Sequence, residues 1–179
     1  SAHRVSADNS QTYRNILANN PKLSDGSLEV MERQVVENTI NNAGEKMTMP
    51  FDILFTTDEP TTVNMAKKLL KSTSAVDGLN EGVVNVNQSK YRHVILPRVA
   101  TDANGAVDTD KRYYWGLASS SYSSAYLGIW EETNFKTPKS LNAGEEFATD
   151  DWNFGVRAGY GIEIVSGRWI SVSKGDGAA

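Results

Sequence analysis

The sequence predicts an α+β fold, and three observations carry that prediction. Between Asp151 and Ser173, Phe154, Val156, Ala158, Tyr160, Ile162 and Ile164 alternate with Gly155, Arg157, Gly159, Gly161 and Glu163, a two-residue period that defines one long β-strand. Two stretches of helical period, one opening at Leu23-Ser24 and one behind Pro60, carry start and stop signals. Between them Phe51 to Thr56, with Ile53, Leu54 and Phe55 nearly continuous, reads as a short strand buried on both faces in the centre of a sheet.

Ser1 to Asn20 is polar apart from Ile16 and Leu17, so residues 1–22 read as an N-terminal arm or a truncated edge. Ser24 is a good N-cap, and Leu23 before it can staple onto Leu28. Leu28, Met31, Val35 and Thr39 trace the inward stripe, broadened by Val36 and Ile40. Glu29, Arg33, Glu37 and Asn38 face water. Gly44 supplies a left-handed cap, which predicts a helix over Asp25 to Ala43. Thr56, Thr57 or Asp58 caps the second helix, predicted from Glu59 to Ser72, with Val63, Ala66, Leu69 and Leu70 inward. Lys67, Lys68 and Lys71 complement its dipole.

Ser72 to Asn85 is a loop. Tyr91 to Val99 is a strand in which Pro97 marks an edge or an end. Thr101 to Lys111 is a polar turn, and Tyr113 to Leu117 and Tyr126 to Glu131 are strands. Asn134 to Thr149 is a long loop before the C-terminal strand. Beyond Ser166-Gly167, the run Trp169 to Ser173 can pair back or cross to another sheet. The glycines Gly155, Gly159 and Gly161 leave one face of the long strand open to close approach. The predicted core is Leu28, Met31, Val35, Ile53, Phe55, Leu69, Leu70, Ile95 and Trp115.

Composition narrows the function classes. The chain has 179 residues, enough for one sizeable core, and a net charge of -4 spread without blocks, which argues against a nucleic-acid footprint. It has no cysteine, which excludes disulfides, thiolate metal sites and cysteine nucleophiles. No apolar run approaches the roughly 20 residues of a membrane span and no signal-peptide core is visible, so the expectation is a soluble chain.

No catalytic, cofactor or metal residue emerges. Asp102 to Asp110 is rich in oxygen ligands, but its glycine, Gly105, is fourth rather than sixth and Tyr113 stands where the twelfth-position acid belongs; a surface turn on Asn104-Gly105 is expected. His93 has no local partner for catalysis and reads as a hydrogen-bonded structural histidine. The acidic pairs Glu131-Glu132, Glu145-Glu146 and Asp150-Asp151 read as solvated rather than as glycosidic dyads. Gly155 to Gly161 lies in a strand with no helix behind it, so phosphate-cradling geometry is missing. The aromatic belt of Tyr113, Tyr114, Trp115, Tyr122, Tyr126 and Trp130 divides, about half of it in the core.

The order of these features is distinctive: the capped helix from Leu23-Ser24 to Gly44, Pro50-Phe51-Asp52-Ile53-Leu54-Phe55, the helix through Leu69-Leu70-Lys71-Ser72, then Asn85-Val86-Asn87 and Tyr91 to Pro97. Tyr114-Trp115-Gly116-Leu117 follows, and Phe154 to Gly161 with Gly167-Arg168-Trp169 closes the chain. From about Leu23 to Gly175 it resembles the C-terminal two-thirds of tailed-bacteriophage major capsid proteins of the Hong Kong 97 type, a fold shared with encapsulins. The resemblance implies an axial-type domain over residues 23–131, with a central sheet flanked by helices, and a connecting loop over 132–150. Over 151–179 it implies a long peripheral-domain strand and a return to the axial sheet by Arg168 to Val172.

The same resemblance implies a structural virion protein, made in the bacterial host cytoplasm. Its pentamers and hexamers would build an icosahedral head shell that encloses DNA without sequence-specific binding. It implies no enzyme and no cofactor. Relatives carry an arm, an extended loop and a spine helix before this point, so the 179-residue stretch is expected to fold but to remain monomeric or weakly oligomeric. Three other readings stand beside it: an encapsulin-type shell protein, a carbohydrate-binding or adhesin-like module using the aromatic belt, and a hydrolase built on the acidic pairs.

Overall fold

The computed structural model describes residues 3–4, 12–74, 83–136 and 155–177. The chain divides into two units, residues 1–123 with 167–179, and residues 124–166. It is α+β.

In the first unit, β1 (His3–Arg4) pairs antiparallel with β2 (Thr12–Tyr13). Behind β2, the Leu17 N–H donates to the Val172 carbonyl at 2.8 Å and the Val172 N–H donates to the Asn15 carbonyl at 2.8 Å. Leu17 is buried in the core. The Pro21 carbonyl accepts from Trp115 Nε1 at 2.9 Å and from Ser173 Oγ at 2.7 Å. Residues 12–22 are therefore part of the fold rather than an arm. The apolar pair and the free backbone groups along a sheet edge hold them there, since unpaired edges recruit any strand in reach.

Helix α1 (Asp25–Asn38) begins as its sequence requires. The Ser27 N–H donates to Ser24 Oγ at 3.2 Å while the Ser24 N–H donates to Ser27 Oγ at 2.8 Å, a reciprocal capping box with serine in the place usually held by Glu. Leu23 and Leu28 are both buried, as a staple needs. The helix ends five residues before the expected Ala43. Thr39 Oγ1 donates to the Val35 carbonyl, and Asn41 Oδ1 accepts from the N–H groups of Ala43 and Glu45, each at 2.9 Å. These side chains offer the backbone a turn in competition with the helix. Gly44, at φ +88°, serves that turn, between the bridged Ile40 and Lys46. Val36, expected to widen the stripe, is exposed.

Strand β3 (Ile53–Thr56) leads to α2 (Pro60–Lys71), with Pro60 in the first turn and Val63, Ala66, Leu69 and Leu70 buried. Glu59 holds the N-cap position without capping the helix, its carboxylate meeting Arg112 Nε at 3.3 Å, while the expected cap Thr57 donates its hydroxyl to the Arg112 carbonyl. The other end is closed by a side chain that sequence reading left in a loop. Asn85 Nδ2 donates to the Leu69 carbonyl at 2.6 Å and to the Ser72 carbonyl at 2.9 Å, satisfying last-turn groups that a helix leaves open. Residues 75–82 of that predicted loop lie outside the described residues.

Strand β4 (Arg92–Ile95) stops before a short 3-10 turn at Pro97–Ala100, and β5 (Trp115–Ala118) follows a second such turn at Thr109–Lys111. The second unit consists of β6 (Ala125–Lys136) and β7 (Gly155–Ile164), paired antiparallel. β6 runs past the expected end at Glu131 and takes in Asn134, Phe135 and Lys136 of the predicted loop; residues 137–149, like Asp151 to Phe154, lie outside the described residues. Strand β8 (Ile170–Ser173) crosses back to the first unit's sheet instead of pairing with β7.

That sheet has the order β4-β3-β5-β8, with β3 and β4 parallel and the other pairs antiparallel. The parallel pair follows from the α2 crossover between its strands. Leu54 and Thr56 share a face with their partners Leu117 and Trp115. Gln34 of α1 donates to Ser171 Oγ on that face at 3.3 Å, and His93, Leu54's partner in β4, feels Lys67 and Lys71 of α2. Both helices thus pack on one side, and Leu28, Met31, Val35, Leu69, Leu70, Leu54 and Trp115 form one cluster with them. On the other side Phe55 lies across Gly116, where a Cβ would come within 2.6 Å of Phe55 Cζ and collide with the Ser171 carbonyl. Two expected core residues fall short: Ile53 is half-buried, and Ile95, at the end of the edge strand β4, is exposed.

Candidate interaction surface

The ribbon β6–β7 separates its side chains by pleat. Register places Ala125 opposite Ile164, Leu127 opposite Ile162, Ile129 opposite Tyr160 and Phe135 opposite Val156, and directly opposed residues share a face. That face is apolar at each of these pairs. The large side chains on it, from Leu127 to Ile164, are each 61–74% exposed. A concavity of ≈ 470 Å³ opens between Leu127, Ile129, Ala158, Tyr160 and Ile162, and Glu131, Glu132 and Thr133 line it as well.

The opposite face is polar and carries the glycines. Tyr126 faces Glu163, Gly128 faces Gly161, Glu131 faces Gly159 and Asn134 faces Arg157. Arg157 Nε pairs with Glu131 Oε2 at 2.8 Å. A register shift between Ile129 and Glu131 inserts Trp130 as an extra residue, the pattern of a β-bulge. Its indole lies on Gly159, where a Cβ would stand 2.5 Å from Cε2, and reaches over Gly161 at 3.2 Å from Cζ3. The glycine face thus admits a ring from the neighbouring strand. The outer side of that ring is open, since Trp130 is 73% exposed. At the base, Ser124 Oγ donates to the Ser166 carbonyl at 2.6 Å and accepts from the Ser166 N–H at 3.1 Å.

The other sequence candidates have ordinary structural partners. His93 Nε2 and Thr56 Oγ1 lie 3.0 Å apart, and burial, then the charges of Lys67 and Lys71, hold its pKa below the usual 6.5. Asp102 Oδ1 accepts from the N–H groups of Asn104 and Ala106, each at 2.8 Å, around Gly105 at φ +82°. Asp108 Oδ1 accepts from the Asp110 N–H at 3.0 Å, and its other oxygen meets Lys111 Nζ at 2.8 Å; the bond from Lys111 holds its carboxyl below the usual range. The loop is closed by its own turn chemistry. Glu131 is in the ion pair with Arg157, while Glu145, Glu146, Asp150 and Asp151 lie outside the described residues. Within the aromatic belt, Trp115 is fully buried, Tyr113 and Tyr114 are half-buried, and Tyr122, Tyr126 and Trp130 are exposed.

Sequence reasoning passed over two polar arrangements. Asp52 Oδ1 accepts from the Ser120 N–H at 2.7 Å and its Oδ2 accepts from Ser120 Oγ at 2.5 Å; these bonds hold the carboxyl below its usual range. Tyr91 donates to Glu32 Oε1 at 2.6 Å while Lys90 Nζ meets Glu32 Oε2 at 2.7 Å, and burial, then the Glu32 bond, pushes the phenol pKa well up. Both join residues 58 or more positions apart, so no local pattern could have paired them. Among the described residues, no three His, Cys, Asp or Glu side chains gather as a metal site would need. No protein-family model, curated protein or solved structure matches the chain.

Proposed function

We propose that the chain is the core of a structural, self-associating shell protein of the Hong Kong 97 type, whose longer form builds an icosahedral phage head around DNA. The observation that carries this reading is the uncovered apolar face of β6–β7. A two-stranded ribbon is marginally stable alone, and a continuous exposed apolar face marks a surface that another surface covers. The first unit supports it as well. Its capped helix, central β3, second helix and returning β8 follow the order on which the resemblance rests. The protein's work in this reading is geometric, with no chemical step; subunits carry complementary patches that meet around symmetry axes. Negative-stain imaging of the full-length product tests it. Uniform isometric particles are the expected result, and a product that stays small under every assembly condition sinks the proposal.

A second reading is favoured by one observation on the polar face. Trp130, flat on the glycines with its outer side open beside Glu131 and Arg157, is the arrangement on which a sugar ring stacks while its hydroxyls meet charged groups. A glycan-array signal that Trp130→Ala abolishes would move the assignment to a carbohydrate-binding module.

A further inference from the structure

Resting on the self-association reading, we propose that the occupant of the apolar face of β6–β7 is the same face of a second copy, so that two ribbons pack face to face across a two-fold axis. Area is the first argument. Seven large side chains, Leu127, Ile129, Phe135, Val156, Tyr160, Ile162 and Ile164, are each 61–74% exposed. Since an aromatic side chain alone can bury about 150–250 Å², the face offers on the order of 800 Å² per copy, the share each partner gives to a stable interface.

Charge is the second argument. The cross-strand pairs on this face, Ala125 with Ile164, Leu127 with Ile162, Ile129 with Tyr160 and Phe135 with Val156, contain no ionisable group except the Tyr160 phenol. Bringing the face against itself sets only Glu131 and Glu132 of its concavity near their counterparts, and Glu131 is already paired with Arg157. Docking it on the polar face would bury the Glu131–Arg157 pair, whose desolvation offsets what the contact gains. Shape agrees with this choice. Two sheets pack about 10 Å apart with interdigitating side chains, and the concavity between Leu127, Ile129, Tyr160 and Ile162 gives a partner's side chains room to enter.

Sedimentation equilibrium of the 179-residue chain across the micromolar range tests the proposal, because the dimer has twice the 19.6 kDa chain mass. A reversible dimer is expected, and Ile162→Lys should weaken it on the order of 100-fold, as loss of a central apolar contact does. Glu163→Lys, on the other face, should leave it nearly unchanged. If Ile162→Lys does not fold, Leu127→Ser replaces it. A chain that stays monomeric overturns the proposal, and so does a dimer indifferent to the changes at 162 and 127. A dimer whose full-length form never builds particles retains this contact and sinks the shell reading. Particles built from a chain with a monomeric ribbon do the reverse.

Discussion

The two units use apolar residues in opposite ways. In residues 1–123 with 167–179, Leu28, Met31, Leu54, Leu69 and Trp115 are wholly shielded by two helices lying on one sheet. In residues 124–166, side chains of the same kinds stand on a two-stranded ribbon with nothing across from them among the described residues. Burial stabilises a large apolar side chain by roughly 1.5–3 kcal/mol only when something covers it. The first unit carries its own cover. The second gains that energy only where something covers its apolar face.

Truncation at the two sites should separate them most widely. Trp115→Ala should cost about 3–5 kcal/mol in urea unfolding, because it empties the centre of the cluster and removes one of the two donors to the Pro21 carbonyl. Ile162→Ala, measured at a concentration where the chain is monomeric, should stay within ~0.5 kcal/mol, as exposed positions do. Equal losses at both sites would mean that the ribbon face is covered within one chain. A smaller effect sharpens the same contrast on the back of the sheet. Gly116→Ala should lose about 1–3 kcal/mol through overpacking against Phe55 and the Ser171 carbonyl. Stability unchanged by that substitution would show that this side yields where the cluster does not.

Ser24→Ala should cost about 1 kcal/mol, the usual loss of a cap, since it removes one half of the reciprocal box. Circular dichroism in a thermal melt reads it. The smallest effect is a pH slope from His93. Its folded pKa lies below 6.5, so the unfolded chain binds the proton more readily, and stability held above pH 6.5 is lost as pH falls through the lowered folded value. His93→Gln should flatten that part of the profile for the first unit. A slope of the same size in the variant would assign it to other groups.

By itself the sequence determined what neighbours in the chain decide. Ser24, Leu23, Leu28, Pro60, Asn104-Gly105 and the alternation up to Ile164 act within a turn or a pleat, and the helices, the turn and the long strand are where they place them. Helix α1 ended before Gly44 was reached because the side chains of Thr39 and Asn41 competed for its last backbone groups. Tertiary structure decided everything that joins distant segments: the bonds of residues 15–17 to Val172, the capping of α2 by Asn85, and the crossing of β8 to β5. It also decided that both helices share one face and that, among the described residues, nothing lies across from the ribbon's apolar face. Alternation fixes which residues share a face, whereas what lies against that face depends on contacts across the whole chain. For that reason Ile95, read as core, stands exposed, and the alternation ending at Ile164 did not show that its apolar side would be exposed.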